Sequence, residues 1–311
     1  MKKDFLTLLD SDAVEVEALL DGAARLKKYR AEGKSHAILP GCSLGMIFEK
    51  ASTRTRVSFE AGMHDLGGHA LFLNPADMQL GRGELVRDTA RVLSRFVSAV
   101  MIRAYKHSTI EEFAKYSSVP VINGLSDKAH PCQVLADLLT LKERFSSLEG
   151  LRVAWIGDGN NVCNSLLVAS AYTGLEVQVA TPPGYRPPSW AVEAAEERGA
   201  RFTFFDTPEE AAEGAHALYT DVWVSMGNEE EREKRLRDFK GYTLTADLVR
   251  RAEPDAIVMH CLPAHRGEEI TEEVLEGPQS VVWDQAENRL HAQKALLVNL
   301  LSDKVHSCGM Q

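Results

Sequence analysis

The chain has 311 residues and a formal net charge of -10 at pH 7. That length exceeds what one hydrophobic core usually serves, so two domains of roughly 150 residues each are expected. The acidic balance excludes a broad nucleic-acid or anionic-membrane surface, and any basic cluster is therefore a local pocket.

Cysteines 42, 132, 163, 261 and 308 are scattered and lack CxxC spacing, which predicts a reducing compartment and no disulfide framework. Residues 1–9 resemble a secretory start, but Asp10, Asp12 and Glu15 interrupt them before an apolar signal core forms. No stretch approaches the roughly 18 apolar residues of a membrane span. A cytoplasmic protein is expected.

In chain order, Val14, Leu19, Leu20, Ala23 and Leu26 recur at helical spacing and predict an amphipathic helix over 11–30. The apolar run 44–48 reads as a strand, and it leads into a helix that Ser52 or Thr53 is placed to cap and that Gly67-Gly68 stops. A strand over 69–74 precedes a mobile, glycine-hinged loop over 78–84, followed by a helix over 84–96 and a buried strand over 97–103. A helix over 109–116 and a strand over 119–123 come next. His130-Pro131-Cys132-Gln133 then opens a helix over 134–145, with proline where its missing N–H costs nothing.

Residues 146–150 mark the domain boundary, after which the alternation restarts. Strands are predicted over 151–156, 176–181, 201–205, 217–220, 256–261 and 281–283, with helices over 161–172, 190–197 and 208–213 and a charged helix from Glu229. A long final helix over 286–301 crosses back onto the first domain. The pattern is α/β, two Rossmann-like domains that are each a doubly wound parallel sheet flanked by helices, with boundaries at 1–148 plus 292–311 and 149–291. In such folds ligands bind beyond the carboxyl ends of the strands.

Polar groups collect at those ends. Ser52-Thr53-Arg54-Thr55-Arg56 sits where a strand hands over to a helix, so unpaired backbone N–H groups, the positive end of the helix dipole, hydroxyls and a guanidinium converge on a phosphate-sized volume. A capped helix with a solvated basic first turn explains this stretch equally well when it is taken alone. Arg103, then His130 and Gln133, then Asp221, Ser225 and Met226, then His260 and Cys261, and finally 284–289 also follow predicted strands, as a cleft between two sheets requires.

Gly157-Asp158-Gly159-Asn160-Asn161 supplies two glycines of a dinucleotide fingerprint, but the third position is Val162 and the next strand ends without a ribose-binding acid. Asn160-Asn161 is read instead as a polar helix start facing a substrate. His260, Cys261 and His265 match no zinc spacing, so no metal is expected. Cys261 is either a nucleophile or a small core residue at a strand end.

Taken together, Ser52 to Arg56, Arg103, His130-Pro131-Cys132-Gln133, Asp221-Val222-Trp223-Val224-Ser225-Met226-Gly227 and His260-Cys261-Leu262-Pro263 resemble the motifs of the aspartate and ornithine carbamoyltransferases, in the same order and over essentially the whole chain. The segment from Asp221 looks like the ornithine branch, because a carboxylate suits an amino-bearing acceptor whereas an aspartate site needs added cations.

The resemblance implies that Ser52, Thr53, Arg54, Thr55, Arg103, His130, Gln133 and Arg289 hold carbamoyl phosphate, and that Gln79 matches a loop residue completing a neighbouring subunit's site. It implies that Asn161, Asp221, Ser225, Met226, Cys261 and Leu262 hold L-ornithine, with Arg54, Arg103, His130, Asp221 and Cys261 taking part in the chemistry. The implied reaction is carbamoyl transfer to the δ-amine, giving citrulline and phosphate without metal or organic cofactor, in a homotrimer or a higher multiple of it. A place in arginine biosynthesis, or in citrulline breakdown, goes with it. Putrescine and N-acetylornithine are alternative acceptors; a nicotinamide-dependent oxidoreductase and a non-catalytic anion-binding relative are the rival classes.

Overall fold

The computed structural model describes residues 3–224 and 229–307. The chain divides into two compact units, Met1–Leu139 with Glu287–Gln311, and Thr140–Ala286. Both dividing points fall inside helices, whereas the sequence reading set them at 148 and 291. Among the described residues no helix is long and apolar enough to cross a membrane.

The first unit runs α1 (Ala13–Ala31), β1 (Ser43–Phe48), α2 (Thr53–Asp65), β2 (His69–Leu73), α3 (Val86–Leu93), β3 (Ala99–Arg103), α4 (His107–Tyr116), β4 (Val121–Leu125) and the start of α5 (Pro131–Phe145). Its strands are parallel in the order β2-β1-β3-β4. All five residues of β3 are buried, the apolar run Ala99–Ile102 expected of a strand covered on both faces and then Arg103 at its carboxyl end. Helix α1 buries Val16, Leu19, Leu20, Ala23 and Leu26. Val14, assigned above to that stripe, is instead 80% exposed, and Val16 takes the inward place.

The start of the chain is tied to the sheet. Phe5 is buried, its N–H donates to the Val121 carbonyl and its own carbonyl accepts from Asn123 N–H, so it lies parallel beside β4. The segment predicted as a glycine-hinged loop, 78–84, contains one 3-10 turn, Leu80–Arg82, and another, Pro75–Asp77, precedes it. Gly81 is needed there for close approach, since a Cβ would stand 2.2 Å from the Pro75 carbonyl oxygen.

The second unit continues with β5 (Arg152–Ile156), α6 (Asn161–Thr173), β6 (Glu176–Ala180), α7 (Ser189–Glu196), β7 (Arg201–Phe205), α8 (Pro208–Ala212), β8 (Ala217–Thr220), α9 (Arg232–Asp238), α10 (Ala246–Val249), β9 (Ile257–His260), α11 (Glu272–Leu275) and the start of α12 (Val282–Ser307). The parallel order is β7-β6-β5-β8-β9. Trp155 and Tyr219, fully buried, meet edge-on at 4.9 Å between ring centroids on the neighbouring strands β5 and β8.

The expected strand over 281–283 is absent. Ser280 makes a single bridge to Val258, and the Val281 carbonyl already accepts from Gln285 N–H, so the buried pair Val281-Val282 opens α12. Two buried β-branched residues fit either element, and the helix start prevails. From Glu287 onward α12 belongs to the first unit, where a Cβ on Gly62 of α2 would touch Lys294 Cγ at 3.2 Å and Leu290 Cδ1 at 3.5 Å. Lys294 itself is fully buried, with its ammonium 3.1 Å from Asp65 and 3.0 Å from His36 Nε2.

In each sheet the connections run in opposite directions from one pair of central strands, β1 and β3 in the first and β5 and β8 in the second. The crevices beyond the carboxyl ends of those two pairs are the topological switch points.

Candidate active site

At the first switch point Phe48 pairs with Arg103 and the chain enters α2 through Ser52. Ser52 Oγ accepts from Thr55 N–H at 3.2 Å and donates to Thr55 Oγ1 at 3.1 Å. The first turn of α2 carries no acidic side chain, so nothing in it offsets the positive helix end. Thr55 is buried, Arg54 half-buried and Thr53 exposed.

Arg289 reaches this turn from α12. Its Nη2 donates to Thr55 Oγ1 at 3.2 Å and its Nη1 to Gln133 Oε1 at 2.7 Å, while Gln133 Nε2 donates to the buried Asp137 at 2.8 Å. Since Thr55 Oγ1 accepts from both Ser52 and Arg289, its own O–H is left to donate outward.

His130, just before Pro131 and buried, is held well below the usual histidine pKa, first by burial and then by the charges of Arg289, Arg103 and Arg54. It is thus a neutral imidazole among three arginines. Gln79 lies exposed before the Leu80–Arg82 turn, where its carbonyl accepts from Arg82 and Glu84; among the described residues it is not part of this hydrogen-bonded set.

At the second switch point the buried Asp221 follows β8. Its Oδ1 accepts from Val222 N–H at 2.8 Å and from the Cys261 thiol at 2.8 Å, and its Oδ2 accepts from Asn160 Nδ2 at 2.7 Å. Asn160 caps α6 with its other atom, Oδ1, which accepts from Val162 N–H at 2.9 Å and Cys163 N–H at 3.2 Å. The sequence reading set Asn160-Asn161 at a polar helix start and, by resemblance, Asn161 on ornithine; Asn161 is the half-buried first residue of α6, and Asn160, the cap before it, meets Asp221. Leu262 holds a left-handed φ of 57°, its N–H donating to His260 Nδ1 at 2.8 Å. Ser225 and Met226 lie outside the described residues.

The two units correspond to two family profiles. Residues 3–143 match "Aspartate/ornithine carbamoyltransferase, carbamoyl-P binding domain" and residues 149–300 match "Aspartate/ornithine carbamoyltransferase, Asp/Orn binding domain". The chain belongs to the aspartate/ornithine carbamoyltransferase family. A protein named ornithine carbamoyltransferase in Methanoculleus marisnigri is 66% identical over 302 residues, covering 97% of this chain and 98% of that one. The structure titled ornithine carbamoyltransferase from Pyrococcus furiosus superposes with a TM-score of 0.91 at 52% identity, covering 95% of this chain and 96% of that one. The anabolic ornithine carbamoyltransferase of Campylobacter jejuni gives a TM-score of 0.91 at 44% identity, covering 97% and 100%.

This membership accords with how the rival features are built. A Cβ on Gly159 would lie 2.2 Å from Pro187 N, and Gly159 N–H donates to the Tyr185 carbonyl, so the protein's own chain covers the turn where a dinucleotide pyrophosphate would rest. Donor atoms of Asp221, His260 and Cys261 lie within 4.8 Å of one another. However, His260 Nδ1 accepts from Leu262 and Nε2 faces Glu269 Oε1 at 3.0 Å, leaving that imidazole no lone pair for a metal. In the second cluster, His265, Glu268 and Glu269, Arg232 already pairs with Glu268.

Sequence reasoning missed several supports of the second switch point. Arg235 of α9, buried, donates through Nη1 to Asp158 at 2.8 Å and to the Trp223 carbonyl at 2.9 Å, tying the turn before Asn160 to the segment after Asp221. Burial raises the Asp158 pKa, and the Arg235 charge opposes that rise. Gln285 accepts from His260 N–H at 2.9 Å, and Glu269 is wholly buried beneath the imidazole. The only sequence signal for Arg235 is a basic residue in an otherwise solvated charged helix, which says nothing of a partner 77 residues earlier.

Proposed function

We propose that this protein transfers the carbamoyl group of carbamoyl phosphate to the δ-amine of L-ornithine, giving L-citrulline and phosphate. The observation that carries the acceptor assignment is Asp221: a buried carboxylate oriented by an amide, a thiol and a backbone N–H attracts an ammonium and repels a second carboxylate such as that of aspartate.

In this reading the phosphate lies on the amino end of α2 against Ser52, Thr53 and Arg54, where the helix carries no competing acid. The outward O–H of Thr55, the Arg103 guanidinium and an N–H of neutral His130 address the carbamoyl oxygen. The free amine attacks the carbonyl carbon, and negative charge grows on that oxygen in a tetrahedral intermediate. The C–O bond to phosphate then breaks, and the proton released by the nitrogen leaves with the phosphate. Donors fixed in advance around an oxyanion are worth about 3–4 kcal/mol each where water is excluded.

A primary amine of this kind has an unperturbed pKa near 10.4, so the site must take up or generate the uncharged form. Asp221 and Cys261 are the groups that orient it. Gln133 and Arg289 hold the first pocket together, Gln79 completes the site of a neighbouring copy in a homotrimer, and Asn161, Ser225, Met226 and Leu262 line the amino-acid side. Exposed Val57, Leu71 and Phe72 on α2 and β2 support association. Cys42, Cys132, Cys163 and Cys261, none of them in a disulfide, support a reducing cytoplasmic setting.

The test is citrulline formation from carbamoyl phosphate with ornithine, putrescine, N-acetylornithine and aspartate offered separately. Ornithine is expected to be the preferred acceptor by at least a hundredfold in kcat/KM, and preference for any other overturns the assignment. Light scattering is expected to give the mass of three chains or a multiple of three.

A further inference from the structure

His107, Asn123 and Ser126 are buried polar residues to which the reaction above assigns no task, and all three converge on one turn. That turn leaves β4 at Leu125 and delivers His130 to the start of α5. It is closed by Ser126 N–H donating to the Ala129 carbonyl at 3.0 Å and by Ala129 N–H donating to Ser126 Oγ at 3.3 Å. Asn123 Nδ2 lies 3.3 Å from both the Ala129 carbonyl and Ser126 Oγ, and 2.8 Å from the Leu6 carbonyl. From the other side His107 Nδ1 stands 2.8 Å from Ser126 Oγ, and His107 N–H donates to Asp127 at 2.7 Å.

Proton positions in this cluster follow from its neighbours. His107 Nε2 is 3.6 Å from Glu111, which places the ring proton on Nε2 and leaves Nδ1 to accept from the Ser126 hydroxyl. Ser126 Oγ then keeps its lone pairs for Ala129 N–H and the Asn123 amide. Burial, the largest influence, keeps His107 uncharged against the pull of Glu111 and Asp127. The Ala129 carbonyl, held by Ser126 and Asn123, belongs to the peptide plane whose nitrogen is that of His130.

We propose that Ser126, braced by His107 and Asn123, is a positioning residue for His130: it fixes the Ala129–His130 peptide plane from which the imidazole meets the carbamoyl oxygen. This rests on the assignment of His130 made under Proposed function. Ser126 touches no substrate and acts only through its effect on its neighbour. Loosening the turn lets the ring leave the narrow range of positions in which its N–H addresses the growing oxyanion, and displacements on the order of 1 Å are costly there.

The experiment is a double-mutant cycle between Ser126→Ala and His130→Ala. Ser126→Ala is expected to lower kcat at least tenfold in the wild-type background and less than twofold in the His130→Ala background, with ornithine KM within twofold of wild type. An equal loss in both backgrounds, or no loss in the first, overturns the proposal. Should Ser126→Ala fail to fold, the same cycle is run with His107→Asn, whose amide keeps an acceptor near the Nδ1 position, and His107→Leu, which has none. The first is expected within threefold of wild type and the second at least tenfold below it; equal effects overturn the proposal.

A readout independent of turnover is the His130 ring proton resonance, assigned by its loss in His130→Ala. It is expected to shift or broaden in Ser126→Ala or His107→Leu, and an unchanged line overturns the proposal. If the wild-type protein makes no citrulline, the functional reading falls and this resonance alone decides the placement.

Discussion

Replacing Asp221 with asparagine tests the acceptor half of the site with little change of shape. In the native arrangement the carboxylate accepts on both oxygens, from Cys261 and Val222 on one side and Asn160 on the other. An asparagine keeps its oxygen toward Val222 and so turns its amide N–H toward Asn160 Nδ2, placing two donors across a 2.7 Å contact. Asn160 cannot resolve this by rotating its own amide without giving up the cap on α6, worth about 1 kcal/mol. A buried donor left without an acceptor costs about 1–3 kcal/mol of folding stability, whereas the lost attraction for the substrate ammonium, about 2–5 kcal/mol for a buried charge pair, is felt in kcat/KM. The expected result is a fall of about 3–4 kcal/mol in transition-state stabilisation, roughly 10²–10³ in kcat/KM for ornithine. The KM for carbamoyl phosphate is expected to stay within twofold. The reciprocal swap, Asp221→Asn with Asn160→Asp, restores an acceptor facing a donor and is expected to recover the thermal midpoint but not ornithine turnover. Steady-state kinetics and calorimetry on the three variants decide the matter: kcat/KM within threefold of wild type in Asp221→Asn, or full recovery of turnover in the swap, refutes the reasoning.

Other outcomes follow from the same geometry. Arg54→Gly is expected to lower kcat/KM for carbamoyl phosphate by roughly 10²–10³ while circular dichroism stays unchanged, as loss of a charge-assisted contact in a desolvated site requires. Arg235→Gln strands the buried Asp158 carboxylate and is expected to cost about 3–5 kcal/mol in urea unfolding, most of it recovered by adding Asp158→Asn. His107, His130 and His291 all have folded pKa values below the ordinary 6.5, burial being the first cause in each, with His291 lowered to about 4. The unfolded chain therefore binds more protons below pH 6.5, so stability is full above that pH and declines as pH falls toward 4. His291 alone accounts for on the order of 3 kcal/mol of that decline. His291→Gln is expected to flatten the acid limb of the thermal midpoint against pH, and an unchanged limb contradicts the assignment.

Much of this architecture is legible in the sequence because local rules and tertiary packing agree in most of it. Ser52 both looks like a cap and caps α2, and the continuous apolar run of β3 has no other use than a strand covered on both faces. Where two rules compete, reading fails: Val281-Val282 satisfies strand propensity and helix burial alike, and only the bridge at Ser280 decides. The bond from Asn160 to Asp221 went unread for a subtler reason. One side chain both caps a helix and donates to a carboxylate 61 residues away, and spacing carries no trace of the second bond. Gln133 and Arg289 are similar: their positions after predicted strands singled them out, but a bond spanning 156 residues has no local signature. The buried residues His107, Asn123, Ser126 and Arg235 look from the sequence like ordinary polar residues.

The discontinuity of the first unit bears on how the protein is made. The second unit, Thr140–Ala286, is one unbroken segment, whereas the first waits for residues from Glu287 onward. During synthesis the later-coded unit can therefore close before the earlier one, reversing the usual amino-to-carboxyl order in which domains fold. Until α12 emerges from the ribosome, the turn at Thr55 has no Arg289 and α2 at Gly62 has no Lys294 packed against it. A nascent chain that has not reached α12 thus carries the first sheet without the partners that Arg289 and Lys294 bring to α2.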